Sequence, residues 1–398
     1  MSKPPGAKLA VERLEDRTVP TYLPSPASPN TVVNGVPLSV SGSGGASVAI
    51  GDLNPEGGNV ARNEYVIATG PGGEGTVSVF SLLGIQENKF VPFPGFRGGL
   101  NVAVGDVLGD SRAEIVVVAA TSGPSQVGVF NSSGQLLASF MAFDPGFTGG
   151  LNVAVGNVSN DADPLAISNG SPGPQIQSKA EIIIGAAAGI TPHVKVFDGG
   201  GDLQRSFFAF DQAYRGGVVV AAASIDTTRV PRIPGQPRPP DTNGYAELIV
   251  GAATNVPHVK VYSLWQGGQT ELRSFYAFDF NNPANRGGVT LAAGNTDGNR
   301  GAEIYVGLVG SSRVRVIAGE SLTVLKELSA FPDAPLNYSR VVNMAVGNTG
   351  QFDPFDDDSF FGNGTTQDLA VVAGDGPPGQ QPRYFRGLPN SAAGLNGP

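Results

Sequence analysis

The chain has 398 residues, with 57 Gly, 32 Pro, no Cys and only 15 % charged residues. That composition favours glycine-punctuated strands over charged helices, and it excludes disulfides and thiolate metal sites. A formal charge of -9 leaves no basic field for a phosphate backbone, so nucleic acid is not an expected partner, and no run reaches the roughly 18 apolar residues of a membrane-spanning helix.

Residues 1–30, with Pro and Ser around KLAVERLEDRTVPTYLPSPASP, carry neither strand periodicity nor the apolar core of an ordinary signal peptide. They are expected to be disordered, as is the tail 388–398. Residues 31–387 between them repeat. A first strand recurs as VAIGD at 48, VAVGD at 102, VAVGN at 153, VAAAS at 220, LAAGN at 291 and MAVGN at 344. Each is followed by an apolar run that opens on an acid, at Glu64, Glu114, Glu181, Glu247, Glu303 and Asp368. A third strand alternates with period two (VSVF, VGVF, VKVF, VKVY, VRVI and a weak RYF), and a fourth ends on an aromatic at Phe93, Phe143, Phe210, Phe278 and Phe331.

Four strands per unit, at a spacing of about fifty to seventy residues, predict an all-β fold: a six-bladed β-propeller of four-stranded antiparallel blades. The units run about 46–99, 100–150, 151–217, 218–288, 289–340 and 341–387. The last lacks a fourth strand. Because VPLSVSGSGG stands before VAIGD as SFMAFDPGFTGG stands before VAVGN, residues 36–42 are expected to complete that blade and close the ring. Glycine pairs before the first strands, such as Gly98 with Gly99 and Gly149 with Gly150, suit tight turns between blades.

The turns between first and second strands are acidic. GDVLGDSRAE places Asp106, Asp110 and Glu114 at positions 1, 5 and 9, and GNTDGNRGAE places Asn295, Asp297, Asn299 and Glu303 at 1, 3, 5 and 9. The first unit offers Asp52, Asn54 and Glu56 in the same order, with Glu64 displaced by an extension. Oxygens at alternate positions of a tight loop are what a Ca²⁺ ion needs, since it takes six to eight of them. Asp, Asn and Gly are also the residues that build β-turns by bonding their own backbone, so structural turns are the alternative reading. Three units carry long inserts in this loop, with irregular acids at Asp161, Asp163, Asp241 and Asp353.

VAVGD, a turn of the D-x-N-x-D-G kind, an acid and an apolar strand together resemble the FG-GAP repeat family and its VCBS-type relatives, over roughly residues 36–387. PHVKV, present in two units, is similar to a branch of that family found in large bacterial exported proteins. The resemblance implies a propeller like that of integrin α chains, calcium in the acidic turns and ligand contact from the opposite face. ERLEDRTVP at 12–20 resembles an N-terminal segment of bacterial surface proteins, which implies export by a non-standard signal to the cell surface or beyond.

No nucleophile elbow, zincin or P-loop pattern is present. The two histidines, His193 and His258, occupy equivalent places in TPHVKVF and VPHVKVY, and repetition argues for packing rather than catalysis. Successive antiparallel strands end on alternate sides, so these histidines and Arg97, Arg215 and Arg286, each just before a glycine pair, share the face opposite the acidic turns. Bidentate arginine suits a carboxylate or sulfate. The expectation is a monomeric, calcium-stabilised, non-catalytic module that binds a protein or acidic glycan. A matrix spacer without a ligand and a propeller polysaccharide lyase are the alternatives.

Overall fold

The structure, a computed structural model, describes residues 30–33, 36–39, 46–54, 63–81, 84–159, 179–225, 246–264, 268–296, 301–330, 342–347, 368–373 and 384–385. Strands β1 (Asn30–Val33) and β2 (Val36–Ser39) form a two-stranded hairpin. The first blade follows: β3 (Ala46–Gly51), β4 (Glu64–Thr69), β5 (Val77–Phe80) and β6 (Gln86–Phe90). The second holds β7 (Leu100–Gly105), β8 (Glu114–Ala119), β9 (Gln126–Phe130) and β10 (Leu136–Met141). The third holds β11 (Leu151–Gly156), β12 (Glu181–Ala186), β13 (His193–Phe197) and β14 (Leu203–Phe208). The fourth holds β15 (Val218–Ala223), β16 (Glu247–Ala252), β17 (His258–Ser263) and β18 (Thr270–Tyr276). The fifth holds β19 (Val289–Gly294), β20 (Glu303–Leu308), β21 (Arg313–Ala318) and β22 (Val324–Ser329). After these come β23 (Val342–Gly347), β24 (Asp368–Ala373) and the two-residue β25 (Tyr384–Phe385).

Each blade is a four-stranded antiparallel meander in chain order, which makes the fold an all-β propeller. The described residues contain five such blades, not six. The sixth repeat is a three-stranded sheet, β23-β24-β25, and residues 36–39 do not complete it, because β2 pairs with β1. The physical reason is local. A hairpin with a two-residue connection closes at little entropic cost, whereas β25 offers a partner only two rungs long. The β23-β24-β25 sheet nonetheless takes its place in the ring, since β23 packs beside β19 on one side and β3 on the other.

The apolar second strands explain the core. β8 is buried along its whole length, yet its residues alternate in partner: Ile115 and Val117 pack on Val66 and Val77 of the first blade, while Val116 and Val118 pack on Ile182 and Ile184 of the third. β12 and β16 repeat this, with Ile183 facing Leu248 and Val250, and Ile249 facing Ile304 and Val306. A strand buried on both faces needs an unbroken β-branched run, and each large side chain so covered contributes about 1.5–3 kcal/mol. Tyr65 and Ile67 of β4 meet Ala345 of β23 in the same manner.

Hydrogen bonds stitch the seams at three places. At the innermost strands, Asn101 Nδ2 donates to Leu151 O and Asn152 Nδ2 to Val218 O, both at 2.8 Å, and Asn343 Nδ2 donates to Ala46 O at 2.7 Å. At the acidic turns, the amides of Ala113, Ala180, Ala246 and Ala302 each donate to a carbonyl of the preceding blade, on Asp52, Asp106, Asn157 and Ser224. At the opposite end, Lys195 Nζ donates to Ala142 O, Tyr262 OH to Ala209 O and Arg315 to Ala277 O, all at 2.8 Å. The second glycine of each pair turns the chain into the next blade: Gly150 has φ 91°, and a Cβ there would lie 2.0 Å from Ala120 O.

Candidate functional site

The glutamate that opens the second strand in each of the five blades points back into the turn before it. Its Oε2 accepts an amide from just beyond the first strand: Glu64 from Leu53 (2.8 Å), Glu114 from Val107 (3.0 Å), Glu181 from Val158 (2.7 Å), Glu247 from Ile225 (2.7 Å) and Glu303 from Thr296 (2.7 Å). Glu114 takes a second amide from Leu108, and Glu303 also accepts the Thr296 hydroxyl. Five blades thus close the base of this loop with one bond, although it spans 11, 7, 23, 22 and 7 residues in turn. Burial pushes the Glu64 and Glu114 carboxyls up to about 7 despite those amides.

In the second blade, where the whole turn is described, the other acids are turned to backbone as well. Asp106 accepts the amides of Gly109, Asp110 and Ser111, and Asp110 accepts that of Arg112. Asp106 and Asp110 are thus bonded to the turn's own amides, and no group of three or more Asp, Glu or His side chains placed to hold a metal is found among the described residues. Asp52 differs. Its Oδ1 is buried without a hydrogen-bond partner among the described residues, and burial raises its carboxyl above the usual range. Asn54, beside it, accepts from Ser132 Oγ at 2.8 Å and lines an open cleft of 310 Å³ with Glu87, Asn88 and Ser133. Asn295 directly precedes the Thr296 that bonds Glu303. Glu56, Asp297, Asn299 and the inserted-loop acids Asp161, Asp163, Asp241 and Asp353 lie outside the described residues, as do 1–29 and 386–398.

On the opposite face the predicted cations hold different partners. Arg97 donates to Glu74 O, and Arg215 to Gln212 O and Tyr214 O. His193 Nε2 bonds Ser206 Oγ at 2.7 Å, and His258 Nε2 bonds Ser274 Oγ at 2.8 Å. The His193 ring packs between Phe143 and Phe208, and the His258 ring contacts Phe210 and Tyr276. Burial lowers both imidazoles below their usual value. Two residues on, Lys195 covers Phe143 and Lys260 covers Phe210, while in the fifth blade Arg313 and Arg315 both cover Phe278. The aromatic two residues beyond the fourth strand of the second, third and fourth blades is thus the seat for a cation of the next blade. Single-residue patterns do not reveal these seats, but the alignment of H-V-K-V, H-V-K-V and R-V-R-V does.

Arg286 stands apart. Its linker, FDFNNPANRGG, is three residues longer than FDQAYRGG at 210–217. Buried Asn285 takes the position of Tyr214, and a single 3-10 turn at Pro283–Asn285, capped by Asn282, absorbs the extra chain. Phe280, half-buried, lies within this longer linker. It stacks on Tyr276 with centroids 5.0 Å apart and planes 17° apart, and the Arg286 guanidinium lies 5.3 Å over it. Arg286 Nε makes a long bond to Phe280 O, 3.4 Å, and its terminal nitrogens meet no acceptor among the described residues.

No protein-family model matches the chain, and no curated protein sequence matches it. A protein of unknown function from Bacteroides caccae is similar in structure at 13 % identity, covering 73 % of this chain and 81 % of its own, with a TM-score of 0.39. A chain of the mitotic checkpoint complex is similar at 10 % identity over 97 % of this chain and 99 % of its own, with a TM-score of 0.44. Among the described residues, no helix is long and apolar enough to cross a membrane.

Proposed function

We propose that this protein is a non-catalytic binding module of the FG-GAP and VCBS-repeat type, displayed outside the cell and acting as a single chain on a protein or acidic glycan. The observation that carries this reading is the constant loop base. One glutamate bond holds every blade the same way while the loop above it ranges from 7 to 23 residues. That is the architecture of a scaffold whose frame stays fixed while the loops and linkers at its two faces are free to meet a partner. The two histidines support the same view, since both are consumed by equivalent serine bonds and aromatic contacts. A completed ring of six blades belongs to this reading, with β23 already seated between β19 and β3.

Binding should be sought with the full chain on protein and glycan arrays. Signal on neither would leave a matrix spacer as the better reading, and new ultraviolet absorbance from polyanionic glycans would favour a lyase. Structural calcium is part of the proposal for the first and fifth turns. Orphaned Asp52 Oδ1 supplies an anionic oxygen with nothing to hold, and Asn54 stands two residues on. The second turn, with Leu108 at its third position and Asp106 bonded to three amides, is left out of this proposal. Free calcium at one hundred times its dissociation constant should then add about 2.7 kcal/mol per site to unfolding. Asp52→Asn should remove part of that response in a thermal melt, and Asp110→Asn should not. A melt indifferent to chelator would end the calcium reading.

A further inference from the structure

At the end of the fourth strand, equivalent positions in four successive blades expose apolar side chains: Val91 (46 %), Met141 (41 %), Phe208 (39 %) and Tyr276 (51 %). Recurrent exposure on one rim marks a surface held ready for contact. The linker after the fourth blade is three residues longer than those after the second and third, and there it builds a continuous stack of Phe210, His258, Tyr276, Phe280 and Arg286. We propose that this stack is the docking point for an acidic peptide segment of a partner protein, with Arg286 receiving an Asp or Glu carboxylate and Tyr276 receiving the apolar residue beside it. The proposal rests on the binding-module reading and names the partner of its opposite face.

Three features select this occupant. Arg286 is the cation of the predicted face whose terminal nitrogens stay unengaged. Pinned over a ring, it presents them as a fork that matches a carboxylate and needs little further ordering. No acid pairs with it among the described residues, in a chain that is otherwise net negative. Secondly, Tyr276 is held in place by its ring neighbours and still half exposed, a rigid apolar anchor of the kind a peptide side chain packs on. Tyr276 contacts His258 at 4.8 Å and Phe280 at 5.0 Å, and Phe280 lies under Arg286. The exposed part of Tyr276 joins an apolar ring to a hydroxyl, which suits an apolar side chain on a carbonyl-bearing chain. Thirdly, Tyr, Phe, Met and Arg are the residues enriched at the cores of protein interfaces, where a few anchors carry most of the affinity.

The test uses the full chain and a randomised peptide library displayed on phage, selected in parallel against the wild type and Arg286→Ala. Peptides enriched on the wild type should share an Asp or Glu next to an apolar residue. Synthetic versions should lose about tenfold or more in affinity to Arg286→Ala and to Tyr276→Ala, with Val91→Ala unchanged. Melting temperatures should agree within a degree or two, since both side chains are exposed. Enrichment without a shared acid, equal affinity for the variants, or no enrichment over Arg286→Ala overturns the proposal. A uronate oligosaccharide whose binding is lost in the same variants reassigns the stack to glycan. A wild-type dimer abolished by Tyr276→Ala reassigns it to a second copy. If array binding persists undiminished in Arg286→Ala, the binding-module reading stands and only this site falls.

Discussion

Burial out of water makes a carboxylate easier to protonate even where backbone amides favour its ionised form, and Glu64 and Glu114 are in that position. In the unfolded chain each titrates near 4.5, and in the folded ring near 7. Between those values the folded state binds more protons, so their contribution is fully present below pH 4.5 and is lost as pH rises through 7. The loss amounts to at most about 1.4 kcal/mol per pH unit for each group. His193 and His258 work in the opposite sense: their lowered values favour the neutral ring, so stability falls as pH drops below about 6.5. Glu114→Gln keeps an acceptor for Val107 but cannot ionise. Measured in chelator, it should melt with the wild type at pH 4 and above it at pH 8. A variant that melts below the wild type at pH 8 would mean that the charge itself holds the turn.

At the scale of the strand, much was legible in the sequence. The alternation of V-K-V-F and the unbroken E-I-I-I-G-A run state how many faces each strand buries, and the strands fall within the units that the repeats define. Two things were not legible. An acid at the start of a strand looks the same whether it faces a cation or an amide, because only the side-chain direction decides, and Glu114 turns inward to Val107. Likewise V-P-L-S has the pattern of an outer strand, and nothing in it reveals that N-T-V-V, two residues upstream, is the nearer partner. Turns between blades give a sharper prediction. Gly150→Ala combines a φ of 91° with a Cβ 2.0 Å from Ala120 O, and should cost more than about 3 kcal/mol in chemical unfolding. Gly189→Ala, at φ 117° with no atom within 4 Å, carries backbone strain alone and should cost about 1–2 kcal/mol. Equal losses would show that the seam has room to give.

For the molecule as a whole, the bond from Asn343 to Ala46 is the same latch that Asn101 and Asn152 make inside the ring. An open array has end units that fray, each stabilised from one side only. A closed one does not. Asn343→Ala should therefore lower stability by about 1 kcal/mol, as Asn101→Ala should, and unfolding followed by circular dichroism and by tyrosine fluorescence should coincide. Separate transitions, or an Asn343→Ala variant indistinguishable from the wild type, would mean that the seam between β23 and β3 is open in solution.

The glutamate clamp at the loop base of each of the five blades also makes the protein a ready host for foreign sequence. Glu181 and Glu247 already close spans of 23 and 22 residues with the geometry that Glu114 uses for 7. Doubling a loop adds only about 0.6 kcal/mol of closure entropy once its ends are clamped. An epitope or affinity peptide grafted between Asp110 and Arg112, with Asp106, Val107 and Glu114 left in place, should fold with the parent melting temperature lowered by no more than a few degrees. One grafted across Glu114 should not fold, which sets the boundary between what this ring displays and what holds it together.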